Sequence, residues 1–434
     1  MNEWLTTTRR RFLKTSALAG SALMAPSFLQ GKSSAAAAED GPTLKVGLIG
    51  CGGRGTGAAG QAMAAENNVV LTAMADVFED KLKDSLEALR KQAPDKVKVE
   101  PDHCFVGLDA YQKLIDSGVD VVLLTTPPGF RPIHLKAAVA AGKHIFCEKP
   151  VATDAPGVRS VLESVKEAKR KNLALVAGFC WRYNLAERAL FGRINEGAIG
   201  AVRAVYATYY TGGVKPIPPA SERPASMGDL EWQLRHWYNF NWLSGDSYVE
   251  QAVHAVDWML WAMKDQLPEK AVAVGGRQIP APGGNIFDHF EVNYEFADGA
   301  RGFLGSRQQA GCATDNTATI FGTQGDGREL GFAGMPFIRG EKAWTYKGPR
   351  PNMYQVEHNE MFASIRSGQP INDGVRMAQT TMTAIMGRMA AYTGQEITWD
   401  MAMNSQEALV PAQIDWKIPV PVPSWAMPGK TKFV

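Results

Sequence analysis

The chain has few cysteines, at positions 51, 104, 147, 180 and 312, with no CxxC pair and no cysteine and histidine cluster at zinc spacing. An odd, scattered set of this kind speaks against a disulfide framework or a metal site and predicts buried free thiols. It also lacks an excess of charge of one sign, with 46 Lys and Arg against 44 Asp and Glu. Nucleic acid and other polyanions are therefore not expected partners. No hydrophobic run approaches the roughly 18 residues that would hold the chain stably in a bilayer, and neither an internal repeat nor a low-complexity linker is present. What remains is a chain of 434 residues, long enough for two domains with proper cores.

The first 38 residues have a character of their own. Thr8-Arg9-Arg10-Arg11-Phe12-Leu13-Lys14 follows the pattern of a twin-arginine export signal. Behind it Ala17 to Leu29 is mildly apolar but broken by Gly20 and Pro26, and Ala35 to Ala38 offers small residues for a peptidase. The expectation is a removable signal over residues 1–38, with the mature protein exported to the periplasm or beyond. Such a route carries finished proteins, so it does not require oxidative folding.

From Leu44 onward, apolar strands alternate with helical stretches: LKVGLIG, AAGQAMAAEN, VVLTAMAD, and later VDVVLLTTPP, HLKAAVAAG and HIFCEKP. This rhythm predicts an α/β fold with a doubly wound parallel sheet over residues 39–170. The first turn reads Gly50-Cys51-Gly52-Gly53-Arg54-Gly55. Glycines at 50, 52 and 55 permit the tight turn, the approach of a diphosphate and close helix packing. Asp76 ends the next strand, 21 residues after Gly55, where a carboxylate meets the ribose hydroxyls and repels a 2'-phosphate. NAD is thus the expected cofactor, with NADP as the alternative because Lys81 lies nearby. Thr125, Thr126 and Pro127 form a polar lip where the nicotinamide should lie, His134 follows on the next helix, and Glu148-Lys149-Pro150 closes the fifth strand. A lysine there can hold a substrate hydroxyl and ease its deprotonation.

GCGGRG, Asp76, TTPP with His134, and EKP together resemble the Gfo/Idh/MocA family of NAD(P)-dependent oxidoreductases. The resemblance implies a Rossmann domain followed by an α/β domain with a large open sheet, whose outer face often makes oligomer contacts. It also implies that Lys149 is the catalytic lysine, and a dimer or tetramer is expected.

Residues 171–434 are expected to form that second domain, since KAVAVGGRQ, DHFEVNYEFADGARGFLGSR and NTATIFGTQGDG alternate in period two around Asp-Gly turns. The final helices should pack back on the first domain. Arg182 and Tyr183 end the strand LALVAGFCWRYN and are candidates for lining the pocket, as are Arg235, Trp237 and Asn239 for contacting a sugar. In a helix from about Tyr248, Glu250, His254 and Asp257 share one stripe, and a histidine flanked by acids has the makings of a general base. Family members place acids at these two flanking positions, although Glu250 stands where aspartate is usual. An exported dehydrogenase that released NAD at each turnover would stall, so a tightly bound, internally regenerated cofactor is expected. That leaves sugar or cyclitol oxidoreduction first, then a redox-neutral NAD-dependent glycoside hydrolase, then a non-catalytic sugar-binding protein.

Overall fold

The computed structural model describes residues 41–279 and 283–434, so the twin-arginine segment and its cleavage stretch lie outside the described residues. Six short apolar runs, β1 (Leu44–Ile49), β2 (Val69–Asp76), β3 (Cys104–Val106), β4 (Val121–Leu124), β5 (His144–Cys147) and β6 (Leu175–Ala177), form a parallel sheet in the order β3, β2, β1, β4, β5, β6. Helices cover both faces, which is why Val121 to Leu124 carries no polar residue and is fully buried. The strand order reverses between β1 and β4, opening a crevice at the carboxyl ends of the strands. β6 pairs in parallel with β5, so the first sheet runs past residue 170. Its polar continuation, Cys180–Tyr183, coils into a 3-10 turn instead of extending the strand.

The second sheet holds β7 (Val202–Thr211), β8 (Lys270–Gly276), β9 (His289–Glu295), β10 (Arg301–Gln308), β11 (Ala318–Gly322), β12 (Gly325–Glu329), β13 (Phe337–Gly340), β14 (Trp344–Thr345) and β15 (Ile397–Thr398). Their order is β14, β13, β12, β11, β7, β10, β9, β8, β15. Every pair is antiparallel except β7 with β10. Asp298-Gly299 makes the expected turn, with Gly299 at φ +83°. The Asp-Gly pair at 326 and 327 does not turn the chain but lies inside β12, where a Cβ at Gly327 would come within 2.7 Å of Ile194 on the helix below.

Alternate residues of β9 (Phe290, Val292 and Tyr294) point inward and are buried. They meet Met382 and Ile385 of the helix Gly374–Thr393 in one continuous core. Each such side chain contributes about 1.5–3 kcal/mol of burial. The helix Met353–Arg366 returns to the first lobe: Gln355 donates to the Gln61 carbonyl at 3.0 Å, and Arg366 meets Glu66 and Asn68 at 2.9 Å each. Beyond Asn404 the chain runs without helix or strand, and Gln233 donates to the buried Val420 carbonyl. The five cysteines are free, but only Cys51, Cys147 and Cys180 are buried. Cys104 is half-buried and Cys312 is exposed, so the expectation of buried thiols fails at these two.

Candidate active site

A cleft of roughly 1170 Å³ opens where the parallel strands end. Its floor is the glycine turn. Gly50 sits at φ +98°, a conformation only glycine adopts freely. A Cβ on Gly55 would lie 1.9 Å from the Gly50 carbonyl oxygen, so turn and helix touch here. At Gly52 and Gly53, in contrast, a Cβ would meet no protein atom within 4 Å. These two open positions, at the start of the helix Gly53–Ala65, form a bare cradle of backbone N–H groups suited to a diphosphate. Asp76 stands beside it and accepts from the backbone N–H of Cys51 at 2.6 Å and of Phe78 at 2.9 Å. Burial raises its carboxyl pKa, and the two backbone donors oppose that shift. This donor set fits a dinucleotide.

Further along, Thr125 donates to the Gly50 carbonyl at 2.7 Å and ties β4 to the turn. Thr126 and His134 Nδ1 lie 3.1 Å apart, and the His134 ring stacks on Tyr111 at 4.2 Å. Burial and the Arg131 cation push its pKa down to about 3, so His134 is a neutral wall residue. Arg54 pairs with Glu148 and lies over the Tyr354 ring at 4.9 Å. Gly50, Gly52, Gly53, Arg54, Gly55, Asp76, Thr125, Thr126, Pro127, His134, Glu148 and Lys149 all line this one cleft. The Lys149–Pro150 peptide bond is cis.

The opposite wall comes from the second lobe. Lys149 Nζ donates to the Glu250 carbonyl at 2.5 Å and to Glu250 Oε1 at 3.1 Å, joining the two lobes at the deep end. The chain carrying Glu250 is not the continuous α-helix that periodicity predicts. Tyr248–Ala252 is a π-helical turn, followed by an α-helix over Val253–Ala262. Buried Asp246 fixes this start by accepting from Ser247, Phe287 and Tyr392. Widened turns of this sort recur at functional sites. His254 lines the cleft, and its Nδ1 is buried without a hydrogen-bond partner. Burial and the neighbouring Lys149 cation hold its pKa well below the ordinary histidine value.

Residues 44–179 match the family described as oxidoreductases with an NAD-binding Rossmann fold, and residues 188–327 match the Gfo/Idh/MocA C-terminal domain. Together the two matches cover more than half of the chain. The chain belongs to the Gfo/Idh/MocA family. It is an NAD-dependent oxidoreductase. Myo-inositol 2-dehydrogenase of Thermotoga maritima is 25% identical over 65% of this chain and 74% of that enzyme. Inositol 2-dehydrogenase of Paracoccus denitrificans is 32% identical, over 48% of this chain and 56% of its own length. In fold, the chain is similar to aldose-aldose oxidoreductase from Caulobacter crescentus, with TM-score 0.65 and 18% identity over 82% of this chain and 99% of that one. It is also similar to levoglucosan dehydrogenase in complex with NADH and levoglucosan, with TM-score 0.64 and 21% identity over 82% and 99%.

In this Gfo/Idh/MocA protein four residues expected at the site lie outside the cleft lining. Asp257 does not orient His254; it is held by Arg182, with Nε to Oδ2 at 2.8 Å and Nη2 to Oδ1 at 3.0 Å, both side chains buried. Arg182 also stacks on Trp261 at 4.5 Å and binds Asp265, so it serves the core, not a substrate. Tyr183 donates to Asp373 at 2.8 Å, and the Asn239 amide donates to the Lys215 carbonyl at 3.0 Å. Arg235 and Trp237 do line the cleft, yet both are engaged. Arg235 reaches across the mouth to Asp80 at 3.1 Å, binds Glu231 at 2.9 Å, and covers Phe78 at 4.0 Å. Lys215 lies over Trp237 at 4.7 Å. Sequence reasoning missed Tyr209, Tyr354 and Lys215, and gave Gln251 no role, although all four line the cleft. Tyr209 sits in an alternating strand, and nothing in that pattern sets it apart.

Proposed function

We propose that this protein oxidises a secondary hydroxyl of a sugar or cyclitol using a tightly held NAD. The inositol dehydrogenases among its relatives support a polyhydroxylated substrate. When bound, NAD supplies the hydride acceptor. The N–H cradle at Gly52 and Gly53 holds its diphosphate, and Asp76 receives its ribose hydroxyls. An ammonium has three N–H donors. Lys149 gives two to Glu250, which leaves one for the substrate oxygen, where it favours alkoxide character. His254 is kept neutral by its surroundings and receives the hydroxyl proton at the nitrogen facing the cleft. Trp237 lines the cleft and offers indole surface to the apolar side of a ring.

The observation that carries this reading is that Lys149 and His254, contributed by separate lobes, line one cleft with the glycine turn. The bridge from Arg235 to Phe78 and Asp80 links the two walls of the cleft, which supports retention of the cofactor. The same reasoning supports export through the twin-arginine route with NAD already aboard, since free NAD is expected to be scarce outside the cytoplasm. Neither the redox-neutral glycoside hydrolase nor the non-catalytic sugar-binding protein is favoured by the relatives. A native mass spectrum of the purified protein, paired with a sugar and cyclitol turnover screen, tests the proposal. One NAD per chain and transfer between an alcohol and a carbonyl substrate without added NAD are expected; full dependence on added NAD refutes retention.

A further inference from the structure

The contacts around Lys149 do not end at Glu250. Lys149 occupies Glu250 Oε1 at 3.1 Å. The other oxygen, Oε2, accepts from Gln251 Nε2 at 2.5 Å, and Gln251 Oε1 accepts from the Tyr209 hydroxyl at 3.2 Å. The chemistry of each group fixes the direction of this ladder. A carboxylate only accepts, so Gln251 must present its NH₂ to Glu250 and its carbonyl to Tyr209. The ladder begins on β7 of the large sheet, passes through the π-helical turn and ends on the lysine at the end of β5. The Tyr209 ring also stacks at 6.2 Å from the His254 ring, with 28° between their planes. One strand residue therefore borders both groups assigned to the chemistry.

We infer that Gln251 and Tyr209 are positioning residues: they hold the Glu250 carboxylate in one rotamer, and Glu250 in turn aims the remaining N–H of Lys149 at the substrate oxygen. The inference rests on the function proposed above and deepens it. Neither residue is required to touch substrate. Without Gln251 the carboxylate of Glu250 loses its second partner and is free to turn about its side chain, and the lysine it holds then samples several directions. A group misplaced by about 1 Å in an active site can lower a rate by about a hundredfold. Substrate affinity does not depend on that aim to the same degree, so the loss falls on kcat.

Gln251→Leu and Tyr209→Phe in the full-length protein test the assignment by two independent readouts. In steady-state kinetics on a turned-over sugar, Gln251→Leu is expected to lower kcat by about tenfold or more while KM stays within about threefold, and Tyr209→Phe to show a smaller loss of the same kind. In the second readout, an amine-acetylating reagent is applied and the peptides are weighed. Lys149 is expected to react several-fold faster in Gln251→Leu than in wild type, with exposed Lys166 as the internal reference. Unchanged kcat together with unchanged Lys149 labelling overturns the inference. Should wild type turn over no sugar, the proposed function fails, and the labelling ratio still decides whether the ladder holds the lysine.

Discussion

Arg182 grips Asp257 through two near-parallel hydrogen bonds, Nε to Oδ2 at 2.8 Å and Nη2 to Oδ1 at 3.0 Å, in a buried pocket. Removing Asp257 leaves the buried Arg182 cation with Asp265 as its remaining ion-pair partner, at a cost of up to about 3–5 kcal/mol. Asp257→Ala should therefore lower the urea midpoint steeply, while the kcat of the fraction that remains folded stays within about threefold of wild type. A large kcat loss at unchanged stability would return Asp257 to the catalytic group.

Gly52 and Gly55 should respond differently to the same substitution. At Gly52 an added methyl points into open space, at φ −72° and ψ 178°, a backbone any residue adopts. Gly52→Ala should keep its urea midpoint and lose NAD affinity by about tenfold or more, because the methyl stands where the diphosphate approaches. Gly55→Ala would press into the Gly50 carbonyl and Thr125, so it should lose roughly 1–3 kcal/mol of stability as well. Titration calorimetry and urea unfolding separate the two effects.

Stability should decline with rising pH near neutrality because of two interior carboxyl groups. Glu187 and Glu329 are each 1% exposed and face one another between the helix Leu185–Asn195 and the end of β12. Glu187 accepts from the Trp258 indole at 2.9 Å, and Glu329 from the Gly331 N–H at 2.5 Å. Burial pushes Glu329 up to about 7 from an ordinary 4.5. A carboxyl whose folded pKa is raised contributes fully below its unfolded pKa and loses that contribution as pH climbs through the folded value. The urea midpoint should therefore fall between about pH 5 and about pH 8, and Glu329→Gln should flatten that slope. A slope unchanged in Glu329→Gln contradicts the assignment.

The features that could be read from the sequence are local ones. The Gly50–Gly55 turn, Asp76 and the Glu148-Lys149-Pro150 strand end each lie within a short segment whose backbone sets their place, and all of them line the cleft. The alternation of β9 announced a half-buried strand for the same reason. Asp257 lies outside the cleft lining because its partner, 75 residues away, holds it, and helical periodicity describes a stripe without saying what the stripe meets. Arg182 and Tyr183 lie outside the cleft lining because the strand stops at Ala177 and the chain coils, which turns both side chains into the interior. The π-helical turn at Tyr248–Ala252 was hidden because the burial of Asp246 beneath Tyr392 and Phe287 comes from distant segments.

The central claim is that an amine and an imidazole from separate lobes act on one hydroxyl beside a retained nicotinamide. Its most direct test is a single-turnover experiment on purified protein with no NAD added, following the absorbance of reduced nicotinamide after mixing with a sugar or cyclitol that wild type oxidises. Wild type should reduce its bound cofactor to one equivalent, and Lys149→Met and His254→Ala should each do so about 10²–10⁴-fold more slowly while still carrying the cofactor. Reduction at the wild-type rate in either variant would contradict the account.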